Sequence, residues 1–388
     1  MAGAAVPLVG QNAWARRRRA SGTSRWNNAG RLEGICVINA APNNNEVYVA
    51  DNAHLASYTA SLAKLFSFAA SYERVTQHRL DLSTRITAFT PFARIGSSYQ
   101  TSRRANGDFI ERSVPSDLRR QFELMGTLSS NLSTRTVAGH ACGVLSGAPT
   151  PIITRALELA DEFVLPALAE ENLLRAEAGE DRLSPRTHLI NVDGTPDMRV
   201  VNGRAIGETQ VTTPFELCHF IKGAVNRLGL ESFTQFFGLP YVEQNGDRRG
   251  AGCILLKNNP RLHTDNRYNG VRASLSPYAH FLIDHGIIKF GKTGYIAASG
   301  NNMAVYAEYN GRSVVAVKFG GGVGADEPGG TDAANSIAGA VCEALGIDDA
   351  FLEAHARGDT SRLEYLQAQR RREFTAEDQR SLNPFGLY

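Results

Sequence analysis

Lysine is scarce in this chain of 388 residues: Lys64, Lys222, Lys257, Lys289, Lys292 and Lys318 are the only six, and arginine carries the rest of the positive charge. Net charge is nearly absent too, +2 from 41 basic and 39 acidic residues. That balance removes any whole-chain electrostatic reason to expect a nucleic acid or an acidic membrane as partner. No apolar run approaches the ~18 residues that a membrane span needs. The five cysteines (Cys36, Cys142, Cys218, Cys253, Cys342) are scattered and contain no CxxC pair. They form neither a zinc framework nor a disulfide scaffold, and they leave the compartment open. The nine histidines include no HExxH, and His140 with Cys142 has no matching ligand pair, so neither a metal nor a cofactor is expected. What remains is ordinary globular composition, 43% hydrophobic and 21% charged, with no internal repeat.

Along the chain, residues 1–29 are small, polar and basic, with Arg16 to Arg19 in a row, and are expected to be a disordered leader. The order of its segments is wrong for a secretory signal, because no apolar stretch follows the arginines. A core domain is expected over 30–346. It opens on two β-branched runs, Ile35–Ile38 and Val47–Val49, separated by turn residues. From Thr59 the period changes: Leu62, Leu65, Phe66, Ala69 and Tyr72 fall at helical spacing. Helical patterns follow at 118–128, 152–175 and 214–228, with turn signals through 187–213. Strand patterns return at 287–290, 302–307 and 313–317, the last two joined by Asn310-Gly311, a strong hairpin signal. A helix over 333–345 and a charged helical tail over 347–388 complete the reading. Strands at both ends of the core with helices between them predict an α+β fold. Its antiparallel sheet has about five strands flanked by helices, with a helical lobe over about 80–230 and a cleft between sheet and lobe.

Three short motifs carry chemistry. Ser61-Leu-Ala-Lys64 stands at the start of the first helical pattern, Ser129-Ser130-Asn131 at the end of another, and Lys292-Thr293-Gly294 on a C-terminal strand. A serine hydroxyl is a poor nucleophile unless a base takes its proton. Residues i and i+3 share one helix face, so Lys64 can reach Ser61. An amine becomes a base only when burial or a second cation disfavours its charge, and Lys292 can supply that cation. Ser129 can relay a proton to a leaving amine, and Asn131 can bind a substrate amide. Thr293 can bind a carboxylate, and Gly294 lets a peptide backbone approach the strand. Singly the motifs are weak, although K-T-G is expected only about 0.04 times by chance in so lysine-poor a chain. Their order and context lift the set above its parts. Phe319-Gly320-Gly321-Gly322-Val323-Gly324 lacks the Gly-Lys-Ser/Thr of a phosphate loop and reads as a turn.

The set S-x-x-K, S-x-N, K-T-G resembles that of the low-molecular-mass penicillin-binding proteins that are D-alanyl-D-alanine carboxypeptidases. Tyr58 to Phe66 looks like the family's nucleophile helix. Asp117 to Asn131 looks like the element that delivers its second motif. Thr187-His-Leu-Ile-Asn191-Val-Asp-Gly194 is similar to its Asn-x-x-Gly-Leu segment, and Phe290 to Asn302 to its third-motif strand. The resemblance covers about residues 30–346. It implies a β-lactamase/transpeptidase-like fold and a serine acyl-enzyme on Ser61, with the oxyanion between the backbone N–H groups of Ser61 and Tyr295. It further implies a peptidoglycan stem peptide as substrate, β-lactams as inhibitors, and a periplasmic or extracytoplasmic location. The chain departs from the family at two points. Ser129 and Lys292 are 163 positions apart, longer than is usual, with the extra length over 145–190 and 260–285. The basic residue that often lies between two asparagines upstream of K-T-G is displaced by one, in Leu256-Lys257-Asn258-Asn259. Three alternatives stay open: a β-lactamase, which needs a deacylating glutamate such as Glu170 or Glu171; a non-catalytic penicillin-binding or sensor module; and a glutaminase of similar fold.

Overall fold

The computed structural model describes residues 33–86, 116–142, 150–195, 197–201, 204–208, 210–244, 247–249, 252–259, 262, 271–296, 300–320 and 331–382. Its centre is an antiparallel sheet of five strands built from both ends of the core: β1 (Gly34–Asn39), β2 (Val47–Asp51), β3 (Ile288–Ile296), β4 (Gly300–Tyr309) and β5 (Arg312–Phe319), in the order β3-β4-β5-β1-β2. The β4–β5 turn is the expected one. Asn310 and Gly311 both adopt positive φ, 52° and 83°, as a two-residue hairpin of matching twist requires. β1 and β5 pair with Cys36 opposite Val317 and Ile38 opposite Val315.

These strands read as continuous apolar runs because both faces of the sheet are covered. Cys36, Ile38, Phe290, Ala304, Tyr306, Val315 and Val317 enter one core. Val37, Met303, Val305, Ala307, Val314 and Ala316 enter the other. The alternation assigns each neighbour to the opposite side.

On the first face lie α1 (Ala63–Gln77), α2 (Leu118–Thr127), α3 (Asn131–Ala141), α4 (Thr150–Glu177), α5 (Pro214–Leu228) and α6 (Leu230–Phe237). α5 starts where its sequence says it must. Thr213 caps it by accepting from Glu216 N at 3.0 Å, and Pro214 occupies the first turn, where its missing N–H is harmless. α1 is buried along almost its whole length, with Phe68 packed edge-on against Phe122, Phe233, Phe236 and Phe237. The opposite face is covered by α7 (Pro277–Asp284), α8 (Thr331–Ala344) and α9 (Asp349–Ala356). α10 (Thr360–Leu382) follows α9 and reaches back to the sheet, where Phe374 lies under the Arg312 guanidinium at 3.5 Å.

Several elements differ from the reading of the sequence, among them the helices α3, α6 and α7, which were not expected. Asp197–Val201 and Arg204–Glu208 form a two-stranded ribbon where only turns were expected. Ser61 stands in a single 3₁₀ turn, Ala60–Leu62, that feeds into α1 rather than in the α-helix itself. The expected leader, the expected glycine-rich turn beyond Gly320, and Ala298 and Ser299 lie outside the described residues. No helix among the described residues is long and apolar enough to cross a membrane.

Candidate active site

The 3₁₀ turn that carries Ser61 is held from four directions. Thr59 N donates to Gln210 O at 3.1 Å, and Leu62 N closes the turn onto Thr59 O at 3.0 Å. Asn302, on β4, donates from Nδ2 to Tyr58 O at 2.9 Å and accepts from Gly320 N at 2.9 Å. Two glycines are pressed against the turn. A Cβ on Gly194, whose φ is +86°, would sit 1.8 Å from Ala60 O, and a Cβ on Gly294 would sit 2.9 Å from Ser61 N. Neither position has room for a side chain.

Two of the motifs meet at one amine, and the third is joined to it through Ser129. Lys64 is completely buried at the start of α1. Its Nζ lies 3.0 Å from Ser61 Oγ, 3.3 Å from Ser129 Oγ, 2.6 Å from Asn131 Oδ1 and 3.0 Å from Asp193 O. Lys292, buried on β3, points its Nζ at Ser129 Oγ at 2.9 Å. Ser129 thus stands between two amines. It adopts φ +57°, a left-handed conformation uncommon for serine, at the sharp link between α2 and α3. Asn131 is the first residue of α3, which Ser130 caps by accepting from Ser133 N at 3.0 Å. On β3, Thr293 is half-buried and Tyr295 is 44% exposed, on either side of the buried Gly294.

The donor count around Lys64 constrains its chemistry. An ammonium has three N–H bonds and no lone pair. Asn131 Oδ1 and Asp193 O can only accept, whereas the two serine hydroxyls can donate. A neutral amine that donates to Asn131 and Asp193 keeps its lone pair for the Ser61 proton, which is the arrangement a general base needs.

Several residues at the site escaped the reading of the sequence. Asp193 lies in the turn 191–195. Asn191 Oδ1 organises that turn by accepting from Gly194 N at 3.0 Å, and Thr195 Oγ1 donates to Asp193 Oδ1 at 2.6 Å. Arg135, on α3, forms an ion pair with Asp193 Oδ2. The Asn191-Val-Asp-Gly194 string was the available signal for the turn; nothing local pointed to Arg135 or Asn302.

Other candidates fall elsewhere. Glu170 accepts from Asn45 at 2.9 Å and Glu171 faces His54 at 3.7 Å, both from α4. Lys257 is exposed, with its stem beside Gly286 and its charge acting on His285 at the entry to β3. Asn259 is buried and donates to Cys253 O at 3.1 Å. Burial pushes the Cys253 thiol up to about 12, so it serves as packing behind Gly291 rather than as a nucleophile. No group of three or more metal-ligating side chains forms among the described residues.

No family model and no curated protein sequence matches the chain. Solved structures do. Penicillin-binding protein D2 from Listeria monocytogenes, in its cefotaxime-bound form, is 15% identical with a TM-score of 0.50, over 81% of this chain and 98% of that one. Penicillin-binding protein 6B from Escherichia coli is 15% identical with a TM-score of 0.51, over 82% and 80%. A peptidoglycan synthesis regulatory factor (PBP3) from Streptococcus pneumoniae is 13% identical with a TM-score of 0.53, over 80% and 70%. The chain has the mixed helix and antiparallel-sheet fold of the penicillin-binding proteins.

Proposed function

We propose that this protein is a serine-type D-Ala-D-Ala carboxypeptidase acting on peptidoglycan stem peptides through an acyl-enzyme on Ser61. One observation carries the reading: Ser61, Ser129 and Asn131 all lie within 3.3 Å of the buried Lys64 amine, while Lys292 reaches Ser129 from the other side at 2.9 Å. Burial of the amine and a second cation across a shared hydroxyl both favour the uncharged base.

In this mechanism Lys64 Nζ takes the Ser61 proton as Oγ attacks the carbonyl between the two D-alanines. The oxyanion is met by the backbone N–H groups of Ser61 and Tyr295. The proton passes from Lys64 through Ser129 to the leaving D-alanine nitrogen, and Lys292 steadies the charge that builds on Ser129. Asn131 holds the substrate amide, and Thr293 with Lys292 takes the terminal carboxylate. Water then releases the acyl group. β-Lactams enter by the same attack, and the substrate places the enzyme outside the cytoplasm.

The test is acylation by a penicillin followed by intact-mass and peptide mapping, with Ser61→Ala as control, together with D-alanine release from a D-Ala-D-Ala peptide. The expected result is one slowly hydrolysed adduct on Ser61, absent from the variant, and D-alanine release by the parent. No adduct and no antibiotic loss would overturn the reading. Rapid antibiotic loss without an adduct would make it a β-lactamase, although Glu170 and Glu171 point at Asn45 and His54. One observation favours a second reading, a penicillin-binding module without peptidase turnover: Lys257 is exposed, with its stem beside Gly286 at the entry to β3. An adduct without D-alanine release would support it.

A further inference from the structure

A buried ion pair lies one residue layer behind the Lys64 amine. Arg135 projects from the second turn of α3, and Asp193 sits at the tip of the turn 191–195. Their side chains are 9% and 0% exposed. Asp193 works with both ends. Its backbone carbonyl accepts from Lys64 Nζ at 3.0 Å, while its carboxylate pairs with Arg135 and accepts from Thr195 N at 3.0 Å and Thr195 Oγ1 at 2.6 Å. Thr195 Oγ1 in turn receives Asn131 Nδ2 at 3.5 Å. The same carboxylate is therefore tied, through short links, to two of the four groups around the lysine. A lone carboxylate so close to a buried amine would hold it in the ammonium form, and removing charge from water without a partner is costly in any case.

The geometry points to Arg135 and Asp193 as positioning residues of the acylation site. The pair aims the Asp193 carbonyl at Lys64, and Arg135 cancels the carboxylate charge so that the amine can give up its proton. This rests on the proposed role of Lys64 as base. Among the described residues, the charged groups placed around Lys64 include Lys292 from β3, which reaches it through Ser129, Asp193 from the turn, and Arg135 from α3, paired with Asp193. Lys292 is common to every variant considered, so changes at the pair isolate the pair.

Charge logic gives opposite signs for the two single substitutions, and a purely structural role does not. Arg135→Gln leaves Asp193 uncompensated, so Lys64 holds its proton more tightly and the acid limb of the acylation rate moves to higher pH. Asp193→Asn leaves the guanidinium alone, and the limb moves to lower pH. An opposite charge at this range shifts a titration by about one to three units, so the two singles should differ by at least about one unit, and acylation by Arg135→Gln should fall about tenfold at neutral pH. Arg135→Gln/Asp193→Asn, which removes both charges, and Arg135→Lys, which keeps the pair, should both return the limb to within about half a unit of the parent.

The experiment measures second-order acylation by a penicillin against pH for the parent and these four variants, with thermal unfolding in parallel. Six lysines make a second readout practical: the pH titration of the Lys64 Cε resonance in protein labelled with [13C]lysine, assigned with Lys64→Arg. That titration needs no substrate. If Ser61 is not acylated but the Lys64 titration moves in opposite directions in the two singles, the pair stands and the carboxypeptidase reading fails. If both singles move the limb and the resonance the same way, or move neither while lowering stability, the inference is overturned. Should either single fail to fold, the double variant and Arg135→Lys decide: a limb displaced by more than about one unit in either overturns it.

Discussion

Replacing Gly294 by alanine perturbs the site by one methyl group, and the structure says where that methyl goes. Its Cβ would lie 2.9 Å from Ser61 N, 3.2 Å from Leu62 N and 3.2 Å from Thr59 O, all backbone atoms of the turn that presents the nucleophile. Comfortable non-bonded contact begins near ~3.5 Å, so β3 and the turn must separate by roughly 0.6 Å. Backbone atoms cannot swing aside as a flexible side chain would. The turn is also pinned by Asn302 at Tyr58 O and by Gly194 against Ala60. Overpacking of this kind costs about 1–3 kcal/mol of stability. The functional cost is larger in proportion. A misplacement near 1 Å in a reacting geometry costs about 10²-fold, so roughly 0.6 Å should slow penicillin acylation by about tenfold or more. The loss should fall on the acylation rate at saturation more than on binding, because in the proposed mechanism the displaced Ser61 N–H acts on the developing oxyanion. Stopped-flow acylation with intact-mass detection measures the rate, and circular dichroism melting measures the stability. A variant acylated within about twofold of the parent, with an unchanged melting temperature, would refute the claim that the strand and the turn are in rigid contact.

Two further outcomes follow from the same geometry and from burial. Asn302→Leu removes a donor from the half-buried Tyr58 O and an acceptor from the buried Gly320 N; it should cost about 2–4 kcal/mol in denaturant unfolding, and a loss under about 1 kcal/mol would count against a bracing role. His219 on α5 is pushed from 6.5 to about 3, first by burial and then by the neighbouring Lys222, with Glu171 and His54 also facing it. The unfolded chain therefore takes the histidine proton first, so stability declines as pH falls below about 6.5. The parent should lose about 2 kcal/mol relative to His219→Leu between about pH 7 and pH 5, read by denaturant unfolding at each pH, and parallel pH curves would refute it.

Local chemistry explains why parts of the fold were legible. Asn310-Gly311 can make its turn because both positions tolerate positive φ, and Thr213-Pro214 with Glu216 marks the start of α5 within four residues. The i, i+3 spacing of Ser61 and Lys64 brings their side chains within 3.0 Å without help from the rest of the chain, even though the first turn is 3₁₀ rather than α. The ribbon over 197–208 carried a local signal of its own, Asn202-Gly203 between two short runs, beside the turn residues Asp193 to Pro196. Asn302 reads as an ordinary polar residue in a strand, and its bracing role exists only because Tyr58, 244 positions away, passes beside it.

The sequence by itself determined the strands at either end of the core and the identity of a serine, lysine and asparagine set. These depend on short-range sterics, hydrogen-bonding capacity and period, which a few neighbouring residues specify. Tertiary structure alone decided which hydroxyl stands between Lys64 and Lys292, that Ser129 takes φ +57° to get there, and that Arg135 closes on Asp193 behind the amine. Those contacts join α1, α3, β3 and the turn 191–195 across as many as 163 positions. They arise when β1 pairs with β5 and both faces of the sheet are buried, because the burial of distant apolar faces, which is not written in any one segment, sets where the polar groups meet.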